Sequence, residues 1–169
     1  MSIYTRVKLH ARITDDGDHA EVFDGSPAAH DLEDLIEWAD GVGANQADLV
    51  FSDELTLSAS ANEDIDLAGT MTDAYGTAVT LVKIKLLIIV NTNTTDGDDL
   101  QVGPAASNGC DCFWADASDR SIVPAGGILY LRAPNGLAVA AGTADLINVA
   151  EVGGANANTY RIIVAGTSS

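Results

Sequence analysis

From about residue 48 onward, short β-branched or alternating runs are separated by clusters of Gly, Asn, Asp and Pro. That pattern predicts strands joined by turns. The runs are Leu49 to Ala59, Asp64 to Leu67, Ala78 to Thr92, Leu100 to Val102, Cys110 to Trp114, Ser121 to Val123, Gly127 to Arg132, Leu137 to Ala140, Leu146 to Val152 and Thr159 to Ala165. Many short strands with regular turn signals predict an all-β fold, a jelly-roll-like β-sandwich. The strongest run, Val79 to Val90, first alternates and then becomes continuously apolar. A strand passing from one-sided to two-sided burial produces that change. On an open edge it would aggregate, so it is expected at the centre of a sheet, with Tyr160 to Val164 as a neighbour or similar core strand. Asp96-Gly97, Pro124-Ala125-Gly126-Gly127 and Pro134-Asn135-Gly136 read as turns, because Pro presets φ and Gly accepts positive φ.

Residues 1–47 have a different texture and are expected to form an N-terminal arm or hairpin with a short connecting segment, ahead of a sandwich domain over 48–169. Ile3, Thr5, Val7, Leu9, Ala11 and Ile13 alternate with Tyr4, Arg6, Lys8, His10 and Arg12. A turn at Asp15-Asp16-Gly17-Asp18 lets Ala20 to Phe23 return as the second strand. Leu32, Leu35, Ile36 and Ala39 fall at i, i+3, i+4 and i+7, which predicts a short amphipathic helix ended by Gly41. A strand over the same residues would put Asp34 on the apolar face with Leu32, Ile36 and Trp38.

Composition narrows the function. Among 169 residues, Asp+Glu is 25 and Lys+Arg is 8, a net charge of −17. Such a chain lacks the basic stripe that nucleic acid requires and is repelled by anionic lipid. Neither nucleic acid nor a membrane is an expected partner. The longest apolar stretch, Leu86 to Val90, is far short of the ~20 residues that span a bilayer. Charges interrupt the first ten residues before an apolar signal segment could form, which predicts synthesis in a cytoplasm. Cys110 and Cys112 are two apart. A bridge at that spacing closes almost no loop, so two reduced cysteines on one face of a strand are expected.

Catalytic templates are missing: G-x-S-x-G, the phosphate-binding G-x-x-x-x-G-K-[ST] and H-E-x-x-H do not occur, and no enzyme activity or cofactor is expected. His10, His19 and His30 lack a supporting carboxylate spacing for a metal site. Asp15 to Asp18 and Asp96 to Asp99 invite a calcium reading, but neither continues as an EF-hand loop, so ordinary acidic turns are the simpler reading. One asymmetry stands out. Residues 1–12 carry Arg6, Lys8 and Arg12 and no acid, and the other 5 basic residues share the rest of the chain with all 25 acids. A solvated strand face accounts for this, and so does an arm that clamps an acidic neighbour. The second reading makes Ile3, Arg6, Val7, Lys8, Leu9, Arg12 and Ile13 the candidate interface residues.

From Gly43 on, an ordered series of segments resembles a family of tailed-bacteriophage capsid decoration (cement) proteins. It runs through Gly43 to Asp53, Asp64 to Gly69, Met71-Thr72-Asp73-Ala74-Tyr75-Gly76, Lys83 to Thr92, Val102-Gly103, Pro124 to Gly127, Thr143 to Ile147 and Tyr160 to Thr167. The resemblance implies a jelly-roll core and a structural virion protein on the outer capsid surface. Its implied partners are the major capsid protein and two further copies in a homotrimer. Two alternatives share the composition: a phage tail or baseplate component, and a β-sandwich carbohydrate-binding module.

Overall fold

A computed structural model describes residues 5–13, 30–73, 75–153 and 156–169, with backbone only over 5–13 and 30–37. All regular structure among them is β. Ten strands follow in order: β1 Thr5–Ile13, β2 His30–Trp38, β3 Leu49–Leu57, β4 Asn62–Asp66, β5 Lys83–Asn91, β6 Asp99–Pro104, β7 Ser121–Val123, β8 Ile128–Ala138, β9 Leu146–Val152 and β10 Asn158–Thr167. The chain divides into two compact units, the hairpin Tyr4–Trp38 and the unit that begins at Ala39.

The second unit is a sandwich of two antiparallel four-stranded sheets, ordered β3-β10-β5-β8 and β4-β9-β6-β7. Its pairings are β3 with β10, β4 with β9, β5 with β8 and β6 with β7. The first four strands thus pair with the last four in reverse order, the connectivity of a jelly roll. Alternation decides which side chains enter the core. In β9, Ile147 and Val149 are buried between half-exposed neighbours, and in β10, Tyr160, Ile162 and Val164 point the same way. They meet Phe51, Ile65, Leu87, Ile89, Leu100 and Val102 from both sheets. Each fully buried aliphatic side chain contributes about 1.5–3 kcal/mol.

The central position expected for the strongest apolar run is observed: β5 lies between β10 and β8. The strand is shorter than the run. Residues 79–82 precede it as a lead-in held by Val79 N–H to Met71 O, Leu81 N–H to Leu67 O and Val82 N–H to Thr167 O. The alternation does not carry through, because Val79, Leu81 and Ile84 all enter the core. Pairing jumps from Ile84 to Leu86 on both sides of β5, so Lys85 is a bulge residue. A bulge reverses face parity and re-aims the side chain. Gly166 sits opposite, where a Cβ would lie 2.1 Å from Lys83 O, so only glycine lets the strands approach there.

Three further expectations change. The segment read as a helix is strand β2, paired with β1 from Thr5↔Trp38 to Ile13↔His30. An available strand partner outweighed a weak helical period, since isolated short helices are marginal in water. The runs Gly127 to Arg132 and Leu137 to Ala140 are one strand, β8. Ala133 to Gly136, read as containing a turn, bulge out opposite Lys85 on the edge of the sheet, where Pro134 withholds no ladder bond. Gly136 takes φ +79° there. Finally, Cys110 to Trp114 is a turn closed by Trp114 N–H to Asp111 O at 2.7 Å, and Cys110 and Cys112 form a disulfide. The turn draws the two Cα atoms to 5.2 Å, inside the usual range for a bridge. The expected turn at 15–18 and return strand at 20–23 lie outside the described residues.

Candidate functional site

The interface residues expected from sequence fall on β1, except Ile3, which lies outside the described residues. The register sets acidic positions of β2 opposite two of the three Arg and Lys positions of β1. Arg6 is opposite Glu37, His10 opposite Glu33 and Arg12 opposite Asp31, with Lys8 opposite Leu35. The other parity sets Val7 opposite Ile36, Leu9 opposite Asp34, Ala11 opposite Leu32 and Ile13 opposite His30. Opposite charges directly across an antiparallel pair favour that register. The three cations of β1 thus face a strand carrying four acids, Asp31, Glu33, Asp34 and Glu37.

On the sandwich, the open side between edge strands β3 and β4 forms a groove of about 250 Å³. Asp53, Glu63, Asp64 and Asp66 give it a strongly negative wall, and Phe51, Ile65 and Met71 an apolar floor. Tyr160 reaches across from the other sheet and donates its hydroxyl to Glu63 Oε1 at 2.6 Å. Burial, first, and then the Glu63 carboxylate push the Tyr160 phenol far above its ordinary range, so it keeps its proton. The pair ties β10 to β4 across the core.

A second hollow, about 370 Å³, lies on the outer face of the β4-β9-β6-β7 sheet among Asn62, Asp64, Ser107, Arg120 and Asn148. Four of its polar side chains are engaged. Asn148 Nδ2 donates to Asp64 Oδ1 at 2.7 Å and Asn62 Oδ1 at 3.2 Å, and Arg120 Nη1 to Ala117 O and Asp119 O.

At one end of the sandwich, buried Asn91 and Asn158 both donate to Asp98 O at 2.9 Å. The Asp98 carboxylate accepts from Asn93 and Asn156, and Asp99 Oδ1 accepts from Ala125 N–H. The acidic turn that invited a calcium reading therefore uses its Asp98 and Asp99 carboxylates on amide donors. Among the described residues, no three His, Cys, Asp or Glu side chains are placed to hold a metal. The turn at 15–18 and His19 lie outside the described residues, and the side chains of His10 and His30 are not described.

Sequence reasoning missed Lys85. The fully buried Lys85 ammonium donates to Gly43 O and Gln46 O at 2.5 and 2.7 Å, fastening the segment after the hairpin over the bulge. Burial, first, and then neighbouring Lys83 lower its pKa from the ordinary lysine value. The two lysines, Lys83 and Lys85, set in a largely apolar run were the available signal. As for an exposed aromatic platform of the kind that grips sugars, Phe113 and Trp114 pack edge to face, 6.3 Å between centroids, and lie against the core.

No family model and no curated protein matches the chain. Among solved structures, one described as "Bacillus endospore appendages form a novel family of disulfide-linked pili" is similar at 10% identity and a TM-score of 0.38. It covers 77% of this chain and 97% of that one. A likeness at that level carries no argument about fold or function.

Proposed function

We propose that this chain is a structural virion protein of a tailed bacteriophage, a decoration or cement protein that binds the outer face of an icosahedral capsid. It acts as a homotrimer with no catalytic step. Copies seated over junctions between capsid subunits stabilise the shell by mass action, since they bind the assembled lattice and not its separated parts. The observation that carries this reading is the ordered series of resembling segments, from Gly43 to Thr167. The jelly-roll pairing is compatible with it, although that fold serves many functions. Among the described residues, open grooves lined in large part by polar and acidic side chains suit a surface protein, and −17 charges keep free copies soluble before assembly. A disulfide persists in oxidising surroundings, such as those a released particle meets. The hairpin is the proposed attachment element, presenting Val7, Leu9 and Ile13 on one parity and Arg6, Lys8 and Arg12 on the other.

The test is to titrate the whole chain onto capsids that lack it and to locate it by cryo-electron microscopy. Saturable binding on the outer shell, with a raised melting temperature of the capsid, is the expected result. A variant without residues 1–38 should keep the melting transition of the sandwich and lose capsid binding. Density only at the tail or baseplate, or binding at full strength without the hairpin, would refute the corresponding part.

A further inference from the structure

The two open sides of the sandwich are built in opposite ways. The β3–β4 side is guarded by acids: Asp53 and Glu54 on β3, and Glu63, Asp64 and Asp66 on β4. Asp53 has the core-facing parity of Phe51 and Leu57, an inward charge on an edge strand, which is a known way of blocking edge-to-edge pairing. Among the described residues, the β7–β8 side has no such acidic guard. Residues 121–144 contain no Asp or Glu at all in a chain with 25, and Arg132 is their one charged residue. Among the described residues, β8 pairs with β5 on one side and with no strand on the other. It is 11 residues long, and its core-facing Leu129, Leu131 and Leu137 are only partly buried. Ile122 and Ile128, on either side of the Pro124 to Gly127 turn that joins the two edges, are 55% and 61% exposed. The nearby Asp99 carboxylate is engaged by Ala125 N–H.

We infer that the β7–β8 edge is the surface by which this chain meets further copies of itself, with Ile122 and Ile128 at the centre of the contact. Charge selects the occupant. Chains of −17 repel one another over most of their surface, so copies approach most readily where acids are absent, and this edge belongs to the longest acid-free run of the sequence. Its apolar residues then leave water together, and three copies turning this edge toward one axis bring their least charged faces into contact. This deepens the proposed homotrimer but does not require the capsid reading. A chain that self-associates through this edge yet ignores capsids would sink that reading and leave this one standing.

The experiment is native mass spectrometry and sedimentation velocity of the whole chain, at about 1–100 μM. It compares wild type, Ile122→Asp with Ile128→Asp, the single Ile128→Lys, and Tyr75→Asp as a control on another exposed position (83%). The expected result is a discrete oligomer for wild type and Tyr75→Asp. The double variant should be monomeric, and Ile128→Lys should dissociate at least about 10-fold more readily, a ratio worth about 1.4 kcal/mol. Hydrogen exchange of residues 128–132 should be protected in wild type and accelerate in both edge variants. A monomeric wild type at every concentration overturns the inference and leaves the edge to a different protein. So does an oligomer that survives both edge variants, or one broken by Tyr75→Asp.

Discussion

Tyr160 is where single-residue chemistry and the sandwich meet. Its ring belongs to the core, and its hydroxyl ends on Glu63 of the opposite sheet. The Tyr160→Phe variant removes that bond and leaves Glu63 without its partner, at a cost of about 1–3 kcal/mol near neutral pH. The pH dependence has a definite sign. In the unfolded chain the phenol ionises near its ordinary value of 10.0, whereas the folded protein holds the proton. The folded state then binds more protons, so wild-type stability falls as pH rises past about 10. Lys85 opposes this. Its folded pKa lies below the ordinary 10.5, so the unfolded state binds more protons there and stability rises as pH climbs toward 10.5. Urea melts between pH 8 and 11 should therefore show wild type weakening above pH 10. Tyr160→Phe should start lower and stay level or gain. Parallel curves for the two proteins would mean that Tyr160 ionises freely in the folded state.

At the scale of elements, two short segments are decided by what they touch. The connection after β2 is fastened by Lys85 to Gly43 O and Gln46 O, by Asn45 N–H to Pro134 O and by Ala47 N–H to Ala39 O. Replacing Lys85 with Met keeps the buried stem and leaves both carbonyls without that donor. The expected loss is about 1–3 kcal/mol, since the lost bonds outweigh the relief of an ammonium no longer buried. Amide exchange at residues 41–47 should accelerate, and unchanged protection there would show that Lys85 is not the fastening. The Cys110–Cys112 turn is the second case. A bridge between residues two apart removes little unfolded-chain entropy. Cys110→Ala with Cys112→Ser should fold, losing no more than about 2 kcal/mol, or a few degrees of melting temperature. Reductant should lower wild type to a similar extent and leave the variant unmoved.

For the whole molecule, the placement of acids matters more than their number. Asp98 is buried at one end of the sandwich among asparagine amides, and the β3–β4 edge is lined with carboxylates. The β7–β8 edge has none of its own. A uniformly spread charge would only keep copies apart, whereas this distribution leaves a preferred face for contact. Self-association lost on placing Asp at 122 and 128 is the expected consequence at this scale. If it occurs, the monomer's half-buried Leu129, Leu131 and Leu137 belong to a core completed by assembly.

By itself, the sequence determined the class of fold and most of the strands. Period-two alternation and Gly, Pro and Asp punctuation are local signals, and they placed β3, β4, β6, β7, β9 and β10 within a few residues of where they lie. It also determined that β5 is interior, because so apolar a run has no stable exposed position. Only the tertiary structure decided the rest, because the deciding partner was distant in the chain. Residues 30–38 became a strand through pairing with β1, whose paired residues, from Ile13↔His30 to Thr5↔Trp38, lie well beyond the reach of a local pattern. Pro134-Asn135-Gly136 became a bulge because β8 continues past it along β5, and Lys85 was buried because that bulge and the Gly43–Gln46 carbonyls gather around its ammonium. The cysteines were joined because a turn, not a strand, brought their Cα atoms to 5.2 Å. Periodicity records which face a residue prefers, but it holds no record of which remote backbone will be there to meet it.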